Sequence, residues 1–252
     1  MTVTADAARA ATVRQVAGVS YLLRRSHRAR RIRLSITANG EATVTLPMRA
    51  PLREADALVA SRRSWLERHM ARYAAERARH DARGPLADGG LIGVAGTSHR
   101  LEVRALPGGR RSRVEHADEP APLVRVHLAP GDDRTLAGVL EAWYRREARA
   151  AIERRIGFRA PQLHVRPAAI TVRDGRSRWG SASPRGRLSF SWRLVLAPPA
   201  VLDYVVVHEL AHLAEFGHTA HFWELVRELV PEADTARRWL REHARELHWT
   251  LE

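Results

Sequence analysis

The stretch VVVHELAHLAEFGHTAHFW, residues 205–223, holds four of the chain's 13 histidines among residues that are mostly apolar. An imidazole in apolar surroundings loses hydration, and the loss is costly unless something compensates. The run Val205-Val206-Val207 has strand propensity, but the punctuation around it is helical. Pro198 and Pro199 suit a helix's first turn, and Gly217 suits the left-handed position just past its end. The span between them, about 17 residues, is longer than most strands. A buried helix over residues 199–216 is therefore predicted, closed by a sharp turn at Gly217.

Conformation decides what His208 and His212 can do together. Four residues of strand would separate them by about 13 Å. In a helix they stand one turn apart, about 6 Å along the axis and on one face. Zinc bonds imidazole nitrogen at about 2 Å, so both rings can converge on one ion. Glu209 is rotated around the axis, where its carboxylate reaches a water rather than the metal. This is the H-E-x-x-H arrangement of metallopeptidases. The plainer alternative is two surface histidines beside a glutamate, which Val207, Leu210, Ala211 and Leu213 argue against.

Candidates for a third ligand are His218, His221 and a downstream acid, Glu228 or Glu232. His218 is favoured because Gly217 can reverse the chain and return the next side chain to the helix face. Thr219 then caps a second helix, AHFWELVRELV. In that helix His221 reads as a surface ring, and Phe222 and Trp223 as core. Tyr204, one turn before His208, either lines the pocket or belongs to the core.

Outward from this segment the pattern is α+β. Residues 1–16 read as a loose tail. RRIRLSITANGEATVTLP alternates around Asn39-Gly40, a hairpin signal, and a helical pattern follows from Pro51 to about Arg83. RGPLADGG breaks that helix. IGVAGTSHRLEVRAL and APLVRVHLAP read as two strands flanking a loop, PGGRRSRVEHADEP. A second long helix fits Thr135 to Phe158, then come strands near AAITVRD and GRLSFSWRLVL, and a helical C-terminal third. No internal repeat is apparent. A β-rich region with one long helix is expected over 17–130 and a catalytic region over 131–252, the two forming one continuous domain over 17–252.

With 252 residues the chain can bury a substantial core. It has no cysteine, so no disulfide framework and no thiolate zinc site; a metal must use histidine and carboxylate. Without a secretory h-region or a stretch of about twenty apolar residues, a cytoplasmic protein with no membrane partner is expected. The net charge of +14 invites a nucleic-acid or nucleotide partner, through arginines such as those of RRSHRARRIR (24–33). Every one of those basic residues is arginine, however, which looks like codon bias and weakens the inference.

RWGSAS (178–183), LSFSWRLVLAPPAVLDYVVVHELAHL (188–213) and GHTAHFWELV (217–226) resemble, in order, motifs of the YgjP-like metallopeptidases, relatives of the SprT-like and WLM zinc peptidases. The resemblance implies a zincin-like catalytic domain with an N-terminal hairpin and helix. It also implies one zinc ion held by His208, His212 and His218, with Glu209 catalytic. Two family cysteines are Ala182 and Ala211 here, and the family's N-H-S reads Gly217-His218-Thr219. No ligand is lost. It places Trp179, Gly180 and Ser181 beside the cleft, where Ser181 and Arg178 can meet substrate or an oxyanion, although Trp179 serves equally as core. The reading is a zinc-dependent hydrolase acting on polypeptide. The alternatives are a nucleotide or phosphoester hydrolase and a non-enzymatic nucleic-acid-binding protein with structural zinc.

Overall fold

The computed structural model describes residues 12–37, 40–82, 84–175 and 178–251. By contact density the chain separates into two compact units, one running up to Arg79 and the other from His80 onward.

The first unit holds a four-stranded sheet of order β1-β2-β4-β3. Its strands are β1 (Thr12–Val16), β2 (Val19–Ser26), β3 (Arg33–Ile36) and β4 (Ala42–Pro47). The outer pairs are antiparallel and β2 runs parallel to β4. The expected hairpin is present as β3–β4; Asn39, expected at its turn, lies outside the described residues. The expected tail is shorter than 1–16: residues 12–16 form β1, paired with β2 through a turn in which Ala17 and Gly18 both have positive φ. Residues 1–11 lie outside the described residues. The helical stretch after Pro51 is two helices, α1 (Leu52–Ser61) and α2 (Arg63–Asp81). Arg62 leaves helical geometry between them, its N–H shared by the carbonyls of Leu58 and Val59. Tyr21, Val44 and Leu46 of the sheet pack with Ala55, Val59 and Leu66 as this unit's core. Residues up to Arg79 include 16 arginines and six acidic residues. Arg28, Arg30, Arg31 and Arg33, from the run expected to face phosphate, line a cleft of about 560 Å³.

The second unit opens with a sheet of order β5-β6-β8-β7, built from β5 (Leu91–Val94), β6 (Thr97–Ala105), β7 (Arg113–Ala117) and β8 (Leu123–Leu128). Its pairing senses repeat those of the first sheet. Val94-Ala95-Gly96 repeats Val16-Ala17-Gly18, with positive φ at the last two residues, the geometry of a type I′ hairpin turn. The chain therefore does contain a repeat, of topology rather than of sequence. This turn splits IGVAGTSHRLEVRAL into two strands. The stretch expected as a loop contributes β7, because RVEHA gains strand pairing at the sheet's outer edge despite its charges.

Helix α3 (Leu136–Arg159) is capped by Thr135, whose hydroxyl accepts from the Gly138 N–H at 3.1 Å. Its stripe of Leu140, Tyr144, Ala148, Ile152 and Ile156 recurs every four residues and is buried. Next comes a three-stranded sheet of order β10-β11-β9, from β9 (Ala169–Arg173), β10 (Gly180–Ala182) and β11 (Arg187–Ser191). The strand expected through Leu196 stops at Ser191, and residues 192–196 turn tightly so that Trp192 is buried, stacked on Tyr144 with ring centroids 5.5 Å apart. Three helices finish the unit: α4 (Pro199–Ala214), α5 (Ala220–Leu229) and α6 (Ala233–Trp249). Among the described residues, no helix is long and apolar enough to cross a membrane.

Candidate metal centre

Helix α4 is buried on nearly all sides, which reconciles its β-branched run with a helix: packing outweighs propensity. A partly buried ion pair docks it on α3, with Arg159 bonding both Asp203 oxygens at 3.2 and 2.6 Å. It ends where Glu215 becomes extended, and Gly217 turns the chain at a φ of +117°. Only glycine adopts that geometry without strain. Thr219 then caps α5, accepting from the Phe222 N–H at 3.1 Å.

The turn returns His218 to the α4 face. A nitrogen from each of His208, His212 and His218 lies within 4.8 Å of the other two, and the Nε2 atoms of His208 and His218 are 3.3 Å apart. Tetrahedral bonds of about 2 Å keep donor atoms about 3.3 Å apart, so the spacing fits a zinc-sized ion. Phe222 stacks on His212 at 4.5 Å and meets His208 edge-on at 5.0 Å, fixing both rings from the α5 side. Burial, and then the neighbouring His212 and His218, hold His208 down at about 4; burial also lowers His212. Both rings are thereby kept neutral, the form that ligates a metal. Among the described residues the buried Nδ1 of His208 has no hydrogen-bond partner. His221 is exposed and sits beside Glu224 rather than the other three rings.

Glu209 is 6% exposed, and burial pushes its carboxyl up to about 7 while Arg178 pulls the other way. Its neighbour across the cleft is β10, an outer strand of its sheet. A Cβ at Gly180 would overlap Glu209 Oε1 and stand 2.6 and 2.7 Å from its Cγ and Cδ, so only glycine lets the strand approach this closely. Alternation along β10 turns Ser181 away from that side; its hydroxyl accepts from Arg173 at 3.3 Å. Arg178 is exposed next to the site. Tyr204 is buried and lines a cleft of about 360 Å³ shared by Trp179, Gly180, His208 and Glu209.

Sequence reading did not find the opposite wall of that cleft. Helix α6 supplies Arg237, Leu240 and Arg241 to it. Trp179 stacks on His248 of α6 at 5.5 Å, which makes this tryptophan part of the cleft wall. Arg193 ties the same helix down by donating to the carbonyls of Leu247 and His248 at 2.9 and 3.0 Å, and pairs with Asp174 at 2.9 Å. The amphipathic period of α6 was the available signal, but it does not say which cavity the helix covers.

Residues 30–243 match the model of the YgjP-like metallopeptidase domain. No curated protein matches the chain at a significant level. Among solved structures, the crystal structure of the metallopeptidase zymogen of Pyrococcus abyssi abylysin is similar over 38% of this chain and 93% of that one, at 20% identity and a TM-score of 0.32.

Proposed function

The chain belongs to the YgjP-like metallopeptidase family, and we propose that it is a zinc-dependent peptidase with His208, His212 and His218 as ligands and Glu209 as general base. The observation that carries this reading is the convergence of three imidazoles beside one buried carboxylate. Three imidazoles with no thiolate suit zinc and leave a coordination position open. Zinc, when bound, supplies Lewis acidity toward a carbonyl oxygen.

The remaining work belongs to side chains of this chain. An extended polypeptide adds to the outer edge of β10, where main-chain hydrogen bonds hold it without regard to sequence. Glu209 takes the proton of the attacking water and delivers it to the leaving amine. Its raised affinity for a proton, produced by burial, suits a group that must both accept and release one near neutrality. Arg178, beside it, offers positive charge to the developing oxyanion. Tyr204 and Trp179 give the cleft apolar walls. The phosphoester and nucleic-acid readings draw no support from the family match, and polypeptide remains the substrate class.

Glu209→Gln tests the division of labour because it keeps size and removes the base. Zinc content should stay at the wild-type value while hydrolysis of a quenched fluorescent peptide falls by about 10²- to 10⁴-fold. His208→Ala should lose the metal as well. Loss of zinc from Glu209→Gln would make the carboxylate a ligand and sink the mechanism.

A further inference from the structure

A second cluster of donors lies on the β5–β8 sheet. His99 Nε2 is 3.0 Å from His116 Nε2 and 2.9 Å from Asp118 Oδ1, and His116 Nε2 is 3.3 Å from the same oxygen. These separations are close to the spacing of about 3.3 Å around a tetrahedral zinc ion. They are also comparable to the spacing between His208 and His218 in the first site.

The proton inventory of the cluster points to a cation. His99 Nδ1 lies 3.1 Å from the carbonyl of Thr97, which only accepts, so this nitrogen carries the ring's proton. With that one proton the ring presents a lone pair at Nε2, facing a carboxylate oxygen that is also an acceptor, so the contact calls for positive charge between them. A second proton on His99 supplies it toward Asp118 alone, with His116 Nε2 as a further neighbour at 3.0 Å. A divalent cation satisfies all three at once. A backbone carbonyl that orients the far nitrogen is also how ligating histidines are held in metal sites generally.

The repeated topology supplies an internal control. In the two sheets Leu101, Val124 and His116 occupy the register positions of Leu23, Val44 and Leu34. Counting from the shared Val-Ala-Gly turn, His99 stands where the first sheet has Tyr21, and Asp118 lies where it has Ile36. The same fold is therefore built elsewhere in this chain with one buried and two half-buried hydrophobic residues at those three positions. Nothing in the topology asks for two histidines and a carboxylate. His99 is 1% exposed and Asp118's side chain is 74% exposed, so one ligand is rooted in the core and another opens the site to solvent.

We propose that His99, His116 and Asp118 form a second metal site for a divalent first-row transition cation, separate from the histidines of α4. Two imidazoles and one carboxylate are a borderline donor set that selects zinc and its neighbours over calcium or magnesium. The ion clips β6 to the end of β7 across β8. His116 also lines a neighbouring cavity of about 500 Å³ with Glu147, Arg154 and Leu202, which places the ion at the rim of that cavity.

The test is zinc stoichiometry by equilibrium dialysis and elemental analysis on the full chain. Wild type should bind two ions per chain. Asp118→Ala, a change at an exposed side chain, should bind one, and His208→Ala/His212→Ala should also bind one. Cobalt added to the double variant should give a visible absorption band that disappears when Asp118→Ala is added. Wild-type stoichiometry of one that Asp118→Ala leaves unchanged would overturn the second site while leaving the α4 site intact. Two ions in both wild type and Asp118→Ala would overturn it equally.

Discussion

Replacing Gly180 by alanine isolates the geometry on which the proposed chemistry depends. The added methyl would overlap Glu209 Oε1 and lie 2.6 Å from Cγ, where ordinary contact begins at 3.4 Å. Something must move by about 1 Å. The β10 backbone is held by its ladder to Phe190, and Glu209 stands in a helix beside the buried Val207, Leu210 and Ala211. The flexible carboxylate therefore swings aside. A 1 Å misplacement of a catalytic group costs about 10²-fold in rate, equivalent to about 2.7 kcal/mol of activation free energy. Stability should fall by about 1–3 kcal/mol for the overpacking. Metal content should not change, because no ligand is touched. The assay is kcat on a quenched fluorescent peptide, with zinc content and thermal midpoint measured on the same samples. Gly157→Ala serves as control: nothing stands within 4 Å of its added methyl, and in the last turn of α3 alanine is the better helix former. A folded, metal-loaded Gly180→Ala protein with wild-type kcat would refute the placement of Glu209 as base.

Three further outcomes concern the same cleft. In metal-free protein Glu209 should titrate near pH 7, and lower once a cation binds, since positive charge favours the carboxylate. Because a raised carboxyl pKa favours the folded state at low pH, this group's contribution to metal-free stability is present below about 4.5 and is lost as pH rises through about 7. Arg178→Gln should move the titration upward, which carboxyl NMR shifts against pH can follow; a downward move would mean Arg178 does not act on Glu209. Arg193→Ala removes the donor to two α6 carbonyls and the partner of Asp174, so denaturant unfolding should show a loss of about 2–3 kcal/mol. Loosening α6 should raise KM more than it lowers kcat, and the reverse split would show that α6 does not shape substrate binding.

The candidate site was legible because its information is local. A proline pair, a glycine and a histidine spacing define one helix, one turn and one capped helix, all within consecutive residues. Long helices with a regular stripe, such as α3, were legible for the same reason. What escaped depends on contacts between distant residues. The strand β7 is polar and short, and exists through pairing with β8. The closeness of Gly180 to Glu209 is a property of two elements that sequence separates by a strand and a turn. Nothing in the period of α6 said that Arg237 and Arg241 would face the cleft. The His99–His116–Asp118 cluster needs the register of three strands before its members meet.

That locality has a thermodynamic consequence. A ligand stabilises a fold only by the difference between its affinities for folded and unfolded chains. His208, His212 and His218 fall within residues 208–218, so closing the loop between them costs little entropy even in an unfolded chain. An unfolded chain would therefore keep part of its grip on an ion bound there. The gain in unfolding free energy with added zinc should consequently be smaller than the native dissociation constant alone implies. A chelator would correspondingly destabilise the fold less than complete loss of native binding suggests.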